Sequence, residues 1–187
     1  MCNKSSFMIV IISAPSGCGK TSIARELVLM DENIVPSISA TTRPKRHSEV
    51  DGKDYFFKTR QDFKNTEFLE KAEIYGHLYG TPKQYVEHQT SIGKDVLFDI
   101  DWQGAKQILE STQNIKIITI FLLPPSIKEL KERLKNRNTD TDETINMRLN
   151  EAGLEMTYSK YYDHAIINDN FDSTVQKIHS IITQSRK

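Results

Sequence analysis

The feature that most constrains this chain is an eight-residue loop near its start, Ala14-Pro15-Ser16-Gly17-Cys18-Gly19-Lys20-Thr21. It matches G-x-x-x-x-G-K-[ST] except at the first position, where Ala14 stands in place of Gly. Phosphate chemistry explains the pattern. Gly17 and Gly19 allow backbone torsions that turn N–H groups toward phosphate oxygens, and a helix starting at the end of the loop adds its positive dipole end. Lys20 places a point charge on β- and γ-phosphates, and Thr21 offers a hydroxyl to Mg²⁺. The flanks have the required character. Phe7–Ser13 is a continuous apolar run, as expected of a strand covered on both faces of a parallel sheet, and Ile23, Leu27 and Met30 follow at helical spacing. Cys18 fills a variable slot where the backbone matters, and it is given no catalytic role.

Beyond the loop, apolar runs alternate with helical periodicities. Val96–Ile100 and Ile115–Leu123 read as buried strands, and Ala165–Ile167 as a short last one. Asp101 and Ser126 are placed to cap the helices that follow. The stripe Ile127, Leu130 and Leu134 marks one helix, and Ile145, Leu149, Ala152 and Met156 mark another from about Asp142. Val175, Ile178 and Ile182 mark the last, from Asp172. Strand–helix alternation of this kind predicts an α/β fold with a parallel sheet core flanked by helices. Two stretches interrupt it: residues 37–93, with short β-like pieces and a helix opened by Thr81-Pro82, and a second from residue 136. No linker rich in Pro, Gly or Ser isolates them, so one domain is expected, its core made of residues 1–36, 94–135 and 159–187.

Composition narrows the partners. Lys+Arg and Asp+Glu are equal at 25 each, so no global basic field draws the chain to nucleic acid or an anionic membrane, and any phosphate site must be built locally. No apolar run approaches the ~20 residues that span a bilayer. The first seven residues are polar and too short to serve as a signal peptide, and the two cysteines suit a reducing compartment, so a cytoplasmic location is expected. The five histidines lack ligand spacing, and no obligate protein partner is evident.

The phosphoryl acceptor is written elsewhere. Ser39-Ala40-Thr41-Thr42-Arg43-Pro44-Lys45-Arg46 sets two arginines three apart after a hydroxyl-rich strand, and the text continues through Glu49 to Asp51-Gly52-Lys53-Asp54-Tyr55. Planar guanidiniums and a phenol suit a phosphate monoester. This segment resembles the GMP-binding region of guanylate kinases, and so do Phe68-Leu69-Glu70, Tyr79-Gly80-Thr81 and Asp99-Ile100-Asp101-Trp102-Gln103-Gly104. The ordered match runs from the phosphate loop to Ile167-Asn168-Asp169.

The resemblance implies a P-loop nucleoside monophosphate kinase fold that transfers phosphoryl from ATP to GMP, with Mg²⁺ as cofactor. Residues 37–93 would be the GMP-binding subdomain and residues 136–158 a lid. Glu70 would accept the two adjacent donors of guanine, with Ser39, Thr81 and Asp101 near the base. Arg43, Arg46, Tyr55 and Tyr79 would hold the GMP phosphate, with Glu49 and Gly80 in the same site. Residues Ala14 to Thr21 and Asn168 would bind ATP, and Thr21 and Asp99 would hold Mg²⁺, Asp99 through water. Lys20, Arg43, Arg133, Arg137 and Arg148 would surround the transferred phosphoryl group. Where relatives carry glycines beside the lid arginine, this chain has Asn136 and Asn138, and the proline of the first arginine segment is displaced to Pro44. Two rivals remain at this point. One is a non-catalytic module of the same family that binds phosphorylated peptides; it would lose the ATP-side loop, which is intact here. The other is a P-loop kinase of another small phosphate ester.

Overall fold

The polypeptide builds two sheets, and the first is the frame for the phosphate loop. The computed structural model describes residues 7–74, 76–112, 115–136 and 141–186. Strand β1 (Met8–Ser13) lies at the centre of a five-stranded sheet between β7 (Asp95–Asp99) and β8 (Lys116–Leu123). Strand β2 (Ile34–Pro36) closes one edge and β9 (His164–Ile167) the other, and every pairing is parallel. Such a sheet must be covered on both faces, and the alternation along β1 shows how. Met8, Val10 and Ile12 enter one core with Ile23 and Leu27 of α1 (Lys20–Met30), Leu130 and Leu134 of α5 (Ile127–Lys135), and Val175, Ile178 and Ile182 of α7 (Phe171–Ser185). Ile9 and Ile11 enter the other, against Val86 of α3 (Lys83–Ser91) and Ala105 and Ile108 of α4 (Trp102–Ser111).

The expected caps are in place: Asp101 accepts from Gly104 N at 2.8 Å, and Ser126 accepts from Glu129 N. Helix α6 (Asp142–Met156) buries Ile145 and Ala152 of its stripe. Two residues of the predicted stripes are more exposed than their spacing implied. Met30 and Ile127 are 39% and 46% exposed, each at a helix end, where the helix leaves its neighbours. Helix α5 stops at Lys135, with Asn136 as its C-cap.

The interruption between β2 and β7 carries a second sheet of four strands in the order β4 (Phe56–Phe57), β3 (Ala40–Thr41), β6 (His77–Pro82) and β5 (Phe68–Ile74). The β5–β6 pair is antiparallel with a register shift between Phe68 and Glu70. A short helix α2 (Arg60–Lys64) buries Phe63, which stacks on Phe68 at 4.2 Å between ring centroids. Sequence periodicity does not reveal α2 or β2, because five- and three-residue elements are too short to establish a period.

The far end of the first sheet is fastened by charge. Arg186, just after α7, donates from Nε to Asp95 and from Nη1 to Asp31, both at 2.6 Å. His179 Nε2 lies 3.2 Å from the same Asp31 oxygen, and Asn33 N and Met8 N donate to Asp31 and Asp95. Burial alone would raise the Asp31 pKa, but the Asn33 N–H and the Arg186 guanidinium outweigh it and bring the value down to about 2. Among the described residues, no helix is long and apolar enough to cross a membrane.

Candidate active site

The phosphate loop leaves the end of β1 beside the end of β7, at the reversal of strand order where open α/β sheets bind ligands. Gly17 and Gly19 have φ of 96° and 82°, the left-handed region that other residues rarely adopt. The loop is seated by Asn168, whose Nδ2 donates to the Cys18 carbonyl at 2.8 Å, while the Asn168 N–H donates to Leu123. The Cys18 side chain is fully buried in the core. Helix α1 has no side-chain cap at Gly19, unlike α4, α5, α6 and α7. Its first N–H groups therefore lack the partner that a capping side chain supplies elsewhere. Lys20 Nζ lies 3.0 Å from Asp99 Oδ1, a buried oxygen that takes no further hydrogen bond among the described residues.

Glu70 is 9% exposed on β5 and accepts from Thr81 Oγ1 at 2.8 Å; Thr81 Oγ1 is in turn 3.2 Å from Ser39 Oγ. Burial raises the Glu70 pKa against the opposing pull of Thr81, and the Asp101 charge raises it further. Gly80 faces β5 so closely that a Cβ there would sit 2.7 Å from the Glu70 carbonyl, so its place in the motif is explained by backbone approach. Arg43 makes a two-pronged ion pair with Glu49, Nη2 to Oε1 at 2.6 Å and Nη1 to Oε2 at 3.1 Å. Its guanidinium carbon lies 5.6 Å from the centre of the Tyr55 ring. Tyr55 meets Tyr79 edge-on, at 6.0 Å. Arg46 is exposed, and its backbone N–H donates to Glu49.

Three adjoining depressions make one cleft. The first is lined by the phosphate loop, with Asp101 and Glu155 opposite. The second, of about 730 Å³, is lined by Ser39, Tyr55, Glu70, Tyr79 and Asp101 among others. The third takes in Thr21, Ser39, Tyr55 and Asp99. Asp101 borders the first two, Thr21 the first and third, and Ser39 and Tyr55 the last two, so the loop and the Glu70 pocket share walls. Arg148 of α6 reaches the loop, with Nη1 3.5 Å from Ser16 Oγ. Arg133 instead bonds Glu129 and the Asn168 carbonyl at 3.2 and 3.1 Å, beside the loop. Arg137 and Asn138 lie outside the described residues.

One residue in the cleft escaped sequence reasoning. Glu155, near the end of α6, faces the phosphate loop; burial raises its pKa, with Asp101 and Glu151 adding and Lys20 opposing. No motif marks it, since its partners are far away in sequence. No group of three or more His, Cys, Asp or Glu side chains is placed to hold a metal among the described residues.

A parallel sheet with a phosphate loop at its strand-order reversal, and a buried carboxylate pocket sharing the cleft, define a P-loop nucleotide-binding α/β protein with a second ligand pocket. The profile of the guanylate kinase family matches residues 6–185, and the chain belongs to that family. It is 50% identical to the guanylate kinase of Rickettsia felis over 98% of this chain and 97% of the other. With that of Rickettsia prowazekii it is again 50% identical, over 98% and 94%. The crystal structure of guanylate kinase from Anaplasma phagocytophilum superposes with a TM-score of 0.72 at 34% identity, covering 97% of this chain and 87% of that one. An SH3-kinase fragment of tight junction protein 3 shares the fold at 13% identity and a TM-score of 0.53, covering 97% of this chain and 58% of that one.

Proposed function

We infer that the chain is an ATP:GMP phosphotransferase that converts ATP and GMP to ADP and GDP, or ATP and dGMP to ADP and dGDP. The observation that carries the acceptor assignment is Glu70, a buried carboxylate beside Thr81 and Ser39 in a pocket continuous with the phosphate loop. Guanine presents N1–H and its exocyclic amine as adjacent donors to such a carboxylate. Adenine presents an N1 lone pair there, and a mismatch of this kind discriminates by about 10⁴.

The proposed roles follow the chemistry of each group. Residues 14–21 cradle the ATP phosphates, with Asn168 behind the loop. Arg43, Arg46, Tyr55 and Tyr79 receive the GMP phosphate, and Asp101 with Ser39 and Thr81 lies at the base. An oxygen of the GMP phosphate attacks the γ-phosphorus, the bond to the β-phosphate oxygen breaks, and Lys20, Arg43, Arg137 and Arg148 neutralise the charge that spreads over the group in flight. Arg133 holds the Asn168 segment from the side. Residues 37–93 and the lid, residues 136–158, act as hinged insertions on the core, and their closure excludes water.

The donors present fit Mg²⁺, which favours hard oxygen ligands and is held largely by substrate phosphates. The Thr21 hydroxyl and, through water, the Asp99 carboxylate with its spare acceptor capacity would hold it. Bound there, the ion would neutralise charge on the β- and γ-phosphates. The GMP and ATP substrates proposed here place the reaction in purine nucleotide recycling, in the cytoplasm.

The test is ADP release with ATP and Mg²⁺ against GMP, AMP, CMP and UMP in turn. Turnover with GMP alone, abolished by Lys20→Ala, is the expected outcome. Preference for AMP contradicts the acceptor assignment, and no turnover with any acceptor favours the phosphopeptide-binding module.

A further inference from the structure

We propose that Glu49 is a positioning residue for the GMP phosphate, acting through Arg43 rather than touching the nucleotide; this rests on the acceptor reading above. A carboxylate in a phosphate site is at first sight a contradiction, since it repels the ligand. The geometry resolves it. A guanidinium has two edges that offer paired N–H groups: the end, Nη1 with Nη2, and the side, Nε with Nη2. Glu49 takes the end edge with both oxygens, and the Pro44 carbonyl takes another Nη1 hydrogen at 2.8 Å. Among the described residues no hydrogen bond reaches the Nε–H of Arg43. The side edge, Nε–H with the second Nη2 hydrogen, is thus left as a parallel pair of donors, the arrangement that grips two phosphate oxygens.

The same carboxylate sets the rest of the cradle. Arg46 N donates to Glu49 Oε2 at 2.8 Å, and Glu49 N donates back to the Arg46 carbonyl at 3.2 Å, so one side chain fixes both the head of Arg43 and the backbone under Arg46. Tyr55 and Phe57 pack beside the guanidinium on one side, with ring centres 5.6 and 5.9 Å from its carbon and 5.9 Å from each other. The Tyr79 hydroxyl is near enough to join Glu49 in raising the Arg43 pKa, and Arg43 with the Arg46 N–H lowers that of Glu49, as a committed ion pair requires. Five groups therefore hold one arginine with a single edge to offer.

The experiment compares calorimetric binding of GMP and of guanosine, which has the base but lacks the phosphate, to the wild type, Glu49→Gln and Glu49→Asp. The Gln amide would point a donor at a donor and free the arginine. The expected result is GMP binding weaker by about tenfold in Glu49→Gln with guanosine binding unchanged, and a smaller loss in Glu49→Asp, which keeps the charge. Melting temperatures are measured alongside; if Glu49→Gln does not fold, Glu49→Asp carries the comparison, since its shorter reach breaks the two-pronged pair. Tighter GMP binding would mean that Glu49 competes with the phosphate and overturns the proposal. Unchanged GMP binding, or equal losses for GMP and guanosine, also overturns it. A wild type that binds no GMP overturns the acceptor assignment itself, whatever the variants do.

Discussion

The two halves of the cleft are built in opposite ways. The donor side is one uninterrupted stretch of chain, residues 14–21, between the central strand of a parallel sheet and a helix buried against it. Its shape is dictated by neighbours in sequence and held by a fully buried core on both faces. The acceptor side is gathered from Ser39, Glu70, Thr81 and Asp101, on three separate strands or strand ends and a helix cap, over a small sheet with few buried apolar side chains. There the shape is held by polar contacts, Thr81 to Glu70 and Arg43 to Glu49. A rigid support suits a triphosphate cradle that must present many N–H groups at once. A lightly cored sheet on two connections fits the closing motion proposed for it.

This difference can be tested by damaging each side alone. The largest effect is expected from Arg186→Ala, which leaves Asp31 and Asp95 as buried carboxylates without their guanidinium under the donor sheet. Loss of about 3 kcal/mol in chemical denaturation is expected, with guanosine affinity of the folded protein unchanged. The Asp31 pKa lies below its ordinary value in the folded state, so its contribution is present above pH 3.8 and lost as pH falls toward about 2. A parallel loss of guanosine binding in Arg186→Ala would show the two regions to be one cooperative unit.

On the acceptor side, Glu70→Gln removes the charge proposed to receive the guanine donors. Guanosine affinity is expected to fall about 10²-fold while ATP affinity holds. The smaller companion effect is in pH. The Glu70 pKa is raised in the folded protein, so the acid form, with a proton where an acceptor is needed, appears at higher pH than for an ordinary carboxylate. Guanosine binding to the wild type should weaken as pH falls through that raised value and stay flat in Glu70→Gln. A pH profile shared by both proteins would remove Glu70 from the base site. Guanosine is the right probe, because the GMP phosphate itself titrates near pH 6.

Legibility in the sequence followed the same division. The phosphate loop, four strands of the parallel sheet, the helices between them and the caps Asp101 and Ser126 were readable, because each is a local rule of spacing or capping. The pocket proposed for the acceptor was singled out only through resemblance. By itself Glu70 looks like any exposed carboxylate, and its burial comes from β6 folding back on β5 eleven residues later. The Arg43–Glu49 pairing was hidden too: both residues were singled out, but nothing in their spacing tells a ligand from the partner that orients it. Glu155 was invisible, as it meets the loop only through the packing of α6.

The central claim is that Lys20 and Arg43 hold phosphates of two different nucleotides facing each other across one cleft. Calorimetry with a single molecule, adenosine and guanosine joined through their 5′ ends by a polyphosphate chain, tests it most directly. One molecule per chain, bound far more tightly than ATP or GMP and weakened by both Lys20→Ala and Arg43→Ala, is the expected result. A linked compound that binds no more tightly than ATP, with Arg43→Ala without effect, would contradict it.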